Sequence, residues 1–510
     1  MGRKTVALIV SSWVIPISII VNQIVPDPYM DEIFHIPQAQ KYCKGDFSSW
    51  DPMITTPPGL YILSLANVAC LFPGIFSLLG VTSFSEACST SVLRATNGVL
   101  AVICSVLIYE LIILLRPSLH ERKATLYAVV LSLYPLHWFF SFLYYTDIAS
   151  LTAVLAAYLF GLKKNYNLSA LFGALAVLMR QTNIIWMGFI ACTYVIDLTL
   201  SRPKEFNRLD ISDISVRSDA GLISKNGSAT ASKLRKRKVT GPVDIPNYSR
   251  MQKTLSSAIP SSGLVYEIKE IMLSSWRQKW DMLASFSPYL LLLVAFVVFV
   301  YFNGSIVLGA KEAHTVSPHF AQLLYFGVVC VLFMAPMHFH PAQVAGMVRL
   351  FWDNKLRSVI QWFAALTAGL LSVHFFSIAH PYLLADNRHY PFYLWRKVIS
   401  LHWSSKYLLV PVYVYSWFSI ASLLGRNRTK SWILVFCFAT AATLVPAPLI
   451  EFRYYTVPFF FVILHSHVHD DRSWLLMAML YIIINVFTLF MFLYRPFSWK
   501  HEPGVQRFIW

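Results

Sequence analysis

Charge is scarce in this chain: 13% of its 510 residues are Asp, Glu, Lys or Arg, against 56% that are hydrophobic. A soluble domain so poor in charge would expose large apolar patches and aggregate, which excludes an ordinary water-soluble enzyme. Short catalytic signatures are missing too. No glycine-rich phosphate loop, no HExxH and no GxSxG occurs, so nothing points to a P-loop NTPase, a zinc protease or a serine hydrolase. The seven cysteines form no CxxC pair, which leaves no signature of structural zinc or thiol redox chemistry. Most of them lie within apolar runs and read as small packing residues. Cys43 and Cys88 can pair only if both face an oxidising compartment.

What the chain has instead is a succession of apolar runs of about 20 residues, the length that crosses a bilayer as a helix, and a mean hydropathy of +0.56. The predicted class is an all-α polytopic membrane protein. The first run, Val6 to Val25, is of spanning length and ends at Pro26-Asp27-Pro28, so it reads as a retained helix rather than a cleaved signal peptide. Met1-Gly2 begins a myristoylation pattern, but Val6 stands where it needs Ser or Thr.

The net charge of +17 is unevenly spread. Between Ser201 and Asp281 there are 15 Lys or Arg against 8 Asp or Glu, including the run from Lys233 to Lys238. This Ser-rich, basic segment between apolar blocks is predicted to be a disordered cytosolic loop whose charge only sets topology, the alternative being attraction to anionic lipid. Nucleic acid is not implied. The chain thus divides into an N-terminal transmembrane module, 1–200, with a first loop at 26–92, the basic loop 201–282, and a C-terminal transmembrane module, 283–510.

With Arg3-Lys4, Arg116 to Lys123, Lys163-Lys164, the basic loop and Arg426 to Lys430 as cytosolic anchors, the remaining runs alternate as about 13 spans. Runs 125–145, 147–162, 320–337 and 453–469 are among them. The run 58–80, which carries Pro73-Gly74, is assigned to the first loop as an interfacial or re-entrant segment. The polar-aromatic stretches YMDEIFH (29–35), YYTD (144–147), RQTN (180–183), AKEAH (310–314), HPYLLADNRHYPFYLWR (380–396) and EFRYY (451–455) all fall on the lumenal side.

Asp31 and Glu32 follow the first span. Asp31 and His35 are four apart on a predicted helix and share a face, whereas Glu32 points about 100° away. A carboxylate among aromatics suits a general base beside a sugar hydroxyl; equally, acids in a first turn are favoured by the helix dipole. Arg388, His389 and Arg396 are suited to neutralising a phosphate, with Tyr390, Tyr393 and Trp395 to stack on a sugar. The same residues also describe an aromatic belt with snorkelling arginines. Arg180 and Arg453 pose that question singly. The stretch HSHVHDD (465–471) has two histidines four apart, His465 and His469, but lies at the cytosolic end of a span, away from the other clusters; no metal site is predicted. Sequons at Asn167, Asn226, Asn247, Asn303 and Asn427 read as chance occurrences.

The motifs YMDEIFHIPQAQ, WDPMITTPPGLY, FLYYTD, RQTNIIW, LLADNRHYPFYLWRK, EFRYY and the terminal RFIW together resemble the dolichyl-phosphate-glucose-dependent α-1,2-glucosyltransferase family of the endoplasmic reticulum. The resemblance runs from the first loop to the last residue apart from 201–281. It implies a GT-C-like bundle in the endoplasmic reticulum membrane, with its active site in the lumen, and an inverting transfer of glucose. The donor would be dolichyl-phosphate-glucose and the acceptor the 2-hydroxyl of the terminal glucose of Glc2Man9GlcNAc2-PP-dolichol, which completes the N-glycan precursor. No metal or other cofactor is implied. Carried onto this sequence, the catalytic acid is Asp31 or Glu32. Substrate contacts fall on Tyr29, His35, Trp50 and Asp51 of the first loop and on Tyr145, Asp147, Arg180 and Gln181. They fall also on His380, Asp386, Asn387, Arg388, His389, Tyr390 and Arg396, and on Glu451 and Arg453. The competing reading, a non-enzymatic multipass transporter or channel-associated protein, predicts charges at the membrane midplane and paired repeats, neither of which the sequence shows.

Overall fold

A computed structural model describes residues 2–79, 83–201, 263–466, 470–500 and 504–510. The basic run 233–238, the sequons at Asn226 and Asn247, and His467 and His469 lie outside the described residues. Among the described residues the regular structure is helical, with two isolated β-bridges. Seven helices of the described residues are long and apolar enough to cross a membrane: Gly2–Ile24, Thr90–Leu115, Asn183–Leu200, Lys279–Asn303, Lys355–Phe375, Ser405–Leu424 and Asp471–Tyr494. Shorter apolar helices lie at Gly59–Gly74, Thr146–Leu162, Tyr166–Met179, Ala321–Phe333 and Lys430–Leu444. The chain is a polytopic membrane protein.

Met1–Ala191 with Ser285–Trp510 forms one compact unit, and Cys192–Ala284 a second. Within the second, helix Leu264–Arg277 exposes Val265, Met272 and Trp276. Positions 265, 272 and 276 fall on one helical stripe, the pattern of a helix lying in a membrane surface. The polar-aromatic stretches all belong to the first unit.

The run expected to cross as 125–145 is two helices, Glu121–Ser132 and Pro135–Phe140. Pro135 drives Tyr134 out of helical geometry, to ψ 122°, because its ring clashes with a helical predecessor. The run expected at 320–337 likewise turns after Phe333, with Pro336 in the short helix Ala335–His338. Helix Pro341–Asp353 lies outside every run expected to cross.

Helix Thr90–Leu115 sets the scale of the unit. Near its start Arg94 binds Glu32, and near its end Glu110 binds Arg3. At 1.5 Å per residue those positions are about 24 Å apart, close to the thickness of a bilayer's hydrocarbon core. The anchors assigned to the cytosol gather at the second end. The Gly2 nitrogen donates to Glu121 at 2.6 Å, Lys123 pairs with Asp471 at 2.6 Å, Arg116 donates to the Ser466 carbonyl at 2.6 Å and Arg428 to His465 at 3.1 Å. The polar-aromatic loops assemble at the first end.

Candidate active site

The first loop is built on helix Glu32–Cys43, whose end is tied by a Cys43–Cys88 disulfide to the residues just before helix Thr90–Leu115. Residues 304–310 lie across the same loop. Leu308 and Ala310 donate their N–H groups to the carbonyls of Thr55 and Pro52 at 3.1 and 2.9 Å. Gly309 permits this approach, since a Cβ there would sit 2.2 Å from the Pro52 oxygen.

The two adjacent acids have separate fates. Glu32 is fully buried against Arg94, with side-chain exposures of 0% and 1%. One carboxylate oxygen accepts from Arg94 Nε at 2.8 Å and the Tyr144 N–H at 2.6 Å; the other accepts from Arg94 Nη2 at 2.6 Å and the Tyr29 N–H at 3.0 Å. Arg94 also donates to the carbonyls of Val25 and Asp27 and to Asn22. Each oxygen of Glu32 already has two donors, so this carboxylate has no room for an acceptor hydroxyl.

Asp31 occupies the N-cap position of the same helix, yet its side chain makes no capping hydrogen bond. It accepts instead from Arg453 Nη1 at 2.9 Å on one oxygen, and its side chain is 41% exposed. Partial burial pushes its carboxyl up, but the Arg453 guanidinium outweighs this and holds it below the usual aspartate value. Asp31 is therefore a carboxylate at neutral pH. His35 turns to the Tyr61 hydroxyl, 2.6 Å from its Nδ1, and burial lowers its basicity, so it stays neutral.

Arg453 joins the stretches expected to meet. It bonds Glu451 at 2.7 Å and Asp31 at 2.9 Å, approaches Asp147 to 3.8 Å, and lies against the rings of Phe140 and Tyr145. Asp147 pairs with Arg180 at 3.1 Å, and Arg180 also donates to Thr146 and lies over Tyr454. Three carboxylates face two guanidiniums, a net charge of −1. Gln181 donates to the Thr55 carbonyl at 3.0 Å, fastening this cluster to the first loop. Trp50 packs on Tyr61, while Asp51 closes its own turn by accepting the Met53 N–H at 2.9 Å.

The 380–396 stretch forms a second, more basic part. Arg388 grips both oxygens of Asp386, at 2.9 and 2.8 Å, donates to Gln506 at 2.9 Å and stacks on Trp499. Burial pushes the Asp386 carboxyl up, but the Arg388 guanidinium outweighs it and holds Asp386 below its ordinary value. Asn387 accepts from the Trp499 indole at 3.0 Å. His389 lies 3.6 Å from Asp386, and Tyr390 packs at a tilt on Trp510. His380 caps the short helix Pro381–Ala385. Asp386, Asn387, Arg388, Phe392, Arg396 and Trp499 line an open cleft of about 640 Å³. Arg396 is exposed and rests over Phe392. Among the described residues no three His, Cys, Asp or Glu are grouped to hold a metal; His465 is held by Tyr158 and Arg428.

Residues 25–464 match the DIE2/ALG10 family. The chain belongs to that family. An Arabidopsis thaliana protein named Dol-P-Glc:Glc(2)Man(9)GlcNAc(2)-PP-Dol alpha-1,2-glucosyltransferase is 58% identical over 100% of both chains. A Homo sapiens protein of the same name is 33% identical over 95% of this chain and 93% of its own. One from Drosophila melanogaster is 32% identical over 95% of this chain and 94% of its own. No solved structure matches the chain.

Arg94 is the residue of this family member that sequence reasoning missed. It stands two residues inside an apolar run, and an arginine there is costly without an anion. That cost was the available signal.

Proposed function

We infer that the chain is a dolichyl-phosphate-glucose-dependent α-1,2-glucosyltransferase of the endoplasmic reticulum, working on the lumenal side of a GT-C-like bundle of about 13 spans. It transfers glucose to the 2-hydroxyl of the terminal glucose of Glc2Man9GlcNAc2-PP-dolichol. The observation that carries the mechanism is the orientation of Asp31: a helix-cap acid that caps nothing, ionised and partly exposed among the converging loops. The basic loop 201–282 separates two transmembrane modules, and its charge holds it in the cytosol.

Inversion requires one base, a positioned acceptor and neutralisation of the departing phosphate. Asp31 takes the proton of the acceptor hydroxyl. The freed oxygen attacks the anomeric carbon on the face opposite the phosphate, and the C–O bond to phosphate breaks, releasing dolichyl phosphate. The acidic cluster of Asp31, Asp147 and Glu451 suits neutral sugar hydroxyls and the positive charge that develops at the anomeric carbon. It repels phosphate, which belongs in the cleft lined by Arg388 and Arg396, next to His389. The donor arrives already activated, so the displacement needs no cofactor. Lipid supplies the surroundings for both dolichol chains.

Purified protein should transfer labelled glucose from synthetic dolichyl-phosphate-glucose to the diglucosylated acceptor and not to the monoglucosylated one. Equal use of both acceptors would sink the assigned specificity, and no transfer to either would sink the enzyme.

A further inference from the structure

The terminal motif RFIW has no place in the mechanism above, yet it touches the first loop, the 388–390 stretch and the residue beside Arg453. Gly504, at φ 119°, leads into a short run that pairs Gln506 with Phe497 through two hydrogen bonds of 2.9 and 2.7 Å. From there three contacts follow. The Tyr29 hydroxyl donates to the Arg507 carbonyl and accepts the Arg507 N–H, both at 2.7 Å. Ile509, 1% exposed, donates to the Arg388 carbonyl at 2.9 Å and accepts from the Tyr390 N–H at 3.1 Å. The Trp510 ring packs on Tyr390 and on Phe452, the neighbour of Arg453.

One of these contacts, and a fourth to His389, act on groups with chemical work to do. Tyr29 is separated from Asp31 only by Met30, which is left-handed at φ 57°; a side chain in that conformation persists only where its surroundings hold it. Tyr29 is fixed at both ends, by Glu32 on its N–H and by Arg507 on its hydroxyl. His389 Nδ1 lies 3.1 Å from the main-chain oxygen of Trp510. That oxygen can only accept, so Nδ1 carries the proton.

We propose that residues 504–510 form a positioning strap, which holds the Asp31 loop and the Arg388–His389 loop in one register for transfer. The proposal rests on the reading of Asp31 as the base. A strap of this kind governs how well acceptor, anomeric carbon and phosphate line up, so its loss lowers turnover more than donor affinity.

Tyr29→Phe removes both bonds to Arg507 and keeps the ring that packs on Phe492. Trp510→Ala removes the anchor ring, and Trp510→Phe restores an aromatic there. Purified variants are compared for kcat, donor KM and size-exclusion profile, with Asp31→Asn alongside. Tyr29→Phe and Trp510→Ala should each lose about tenfold in kcat. Donor KM should stay within about twofold, and Trp510→Phe should recover most of the loss. Unchanged kcat in both variants, a rise confined to donor KM, or loss of folded protein in both would overturn the strap. Inactive Asp31→Asn beside wild-type strap variants would leave the transferase reading standing and reject the strap alone. Active Asp31→Asn would remove the reading on which the strap rests.

Discussion

Replacing Asp31 by Asn and Glu32 by Gln should give opposite failures, although the residues are neighbours. Asparagine at 31 keeps size and can still meet Arg453, but cannot accept a proton at neutral pH. A general base contributes roughly 100- to 10,000-fold in rate, or about 3–5 kcal/mol of barrier. The stability lost is small. No capping bond exists to break, the interaction with the helix dipole is worth about 0.3–1 kcal/mol, and Arg453 keeps Glu451 at 2.7 Å. Asp31→Asn should therefore fold, bind donor and turn over at least about 100-fold more slowly. Glutamine at 32 leaves the buried Arg94 without its anion, a change that costs about 3–5 kcal/mol. That protein should be poorly expressed or aggregated. The assay is transfer of labelled glucose by detergent-purified variants, with thermal unfolding and donor binding measured on the same samples. An Asp31→Asn protein within tenfold of wild-type turnover would refute the assignment of the base, and a stable, inactive Glu32→Gln would refute the division of labour between the two acids.

Other expectations follow from the same geometry. Arg453 holds the Asp31 carboxyl below its usual value, so the ion pair stabilises the fold above the unfolded aspartate pKa, about 3.9, and that contribution is lost as pH falls through the lower folded value. Arg453→Gln removes the cause, so the acid limb of the residual kcat/KM profile should move to higher pH; an unmoved limb would mean that Asp31 does not set it. Cys43→Ser opens a loop with a sequence separation of 45, for which chain entropy predicts a loss of about 4 kcal/mol; unfolding temperature should fall, and an unchanged midpoint would show the bridge to be idle. Protease added to sealed microsomes should cut within 202–262 and spare 380–396; cutting both or neither would contradict the sidedness proposed for the loops.

The membrane class was legible because hydropathy is a sum over many residues and survives local error. So was the convergence of distant loops, since alternation across a bilayer leaves a polar stretch only two sides to occupy. Asp31 stood out as an acid at the exit of a span. The distinction between Asp31 and Glu32 was not legible, because it depends on Arg94, 62 positions from Glu32, and helical periodicity does not reach that far. The break at Tyr134-Pro135 was written in the sequence, but a hydropathy window averages over a proline. The pairing of Ile509 with residues 388–390 carries no periodic signal in either partner.

The Arg94–Glu32 pair also orders events during synthesis. Residue 32 emerges from the ribosome well before residue 94, so the loop waits with an acid meant for burial until the second long apolar helix arrives. That helix brings a cation that belongs just inside the membrane edge, where a lone charge is costly. Insertion of the helix and closure of the loop then become a single step, late in the biogenesis of this region and sensitive to either partner. Inherited or engineered changes at 32 or 94 would thus surface as missing protein, whereas changes at 31 would leave a normal amount of protein that does nothing.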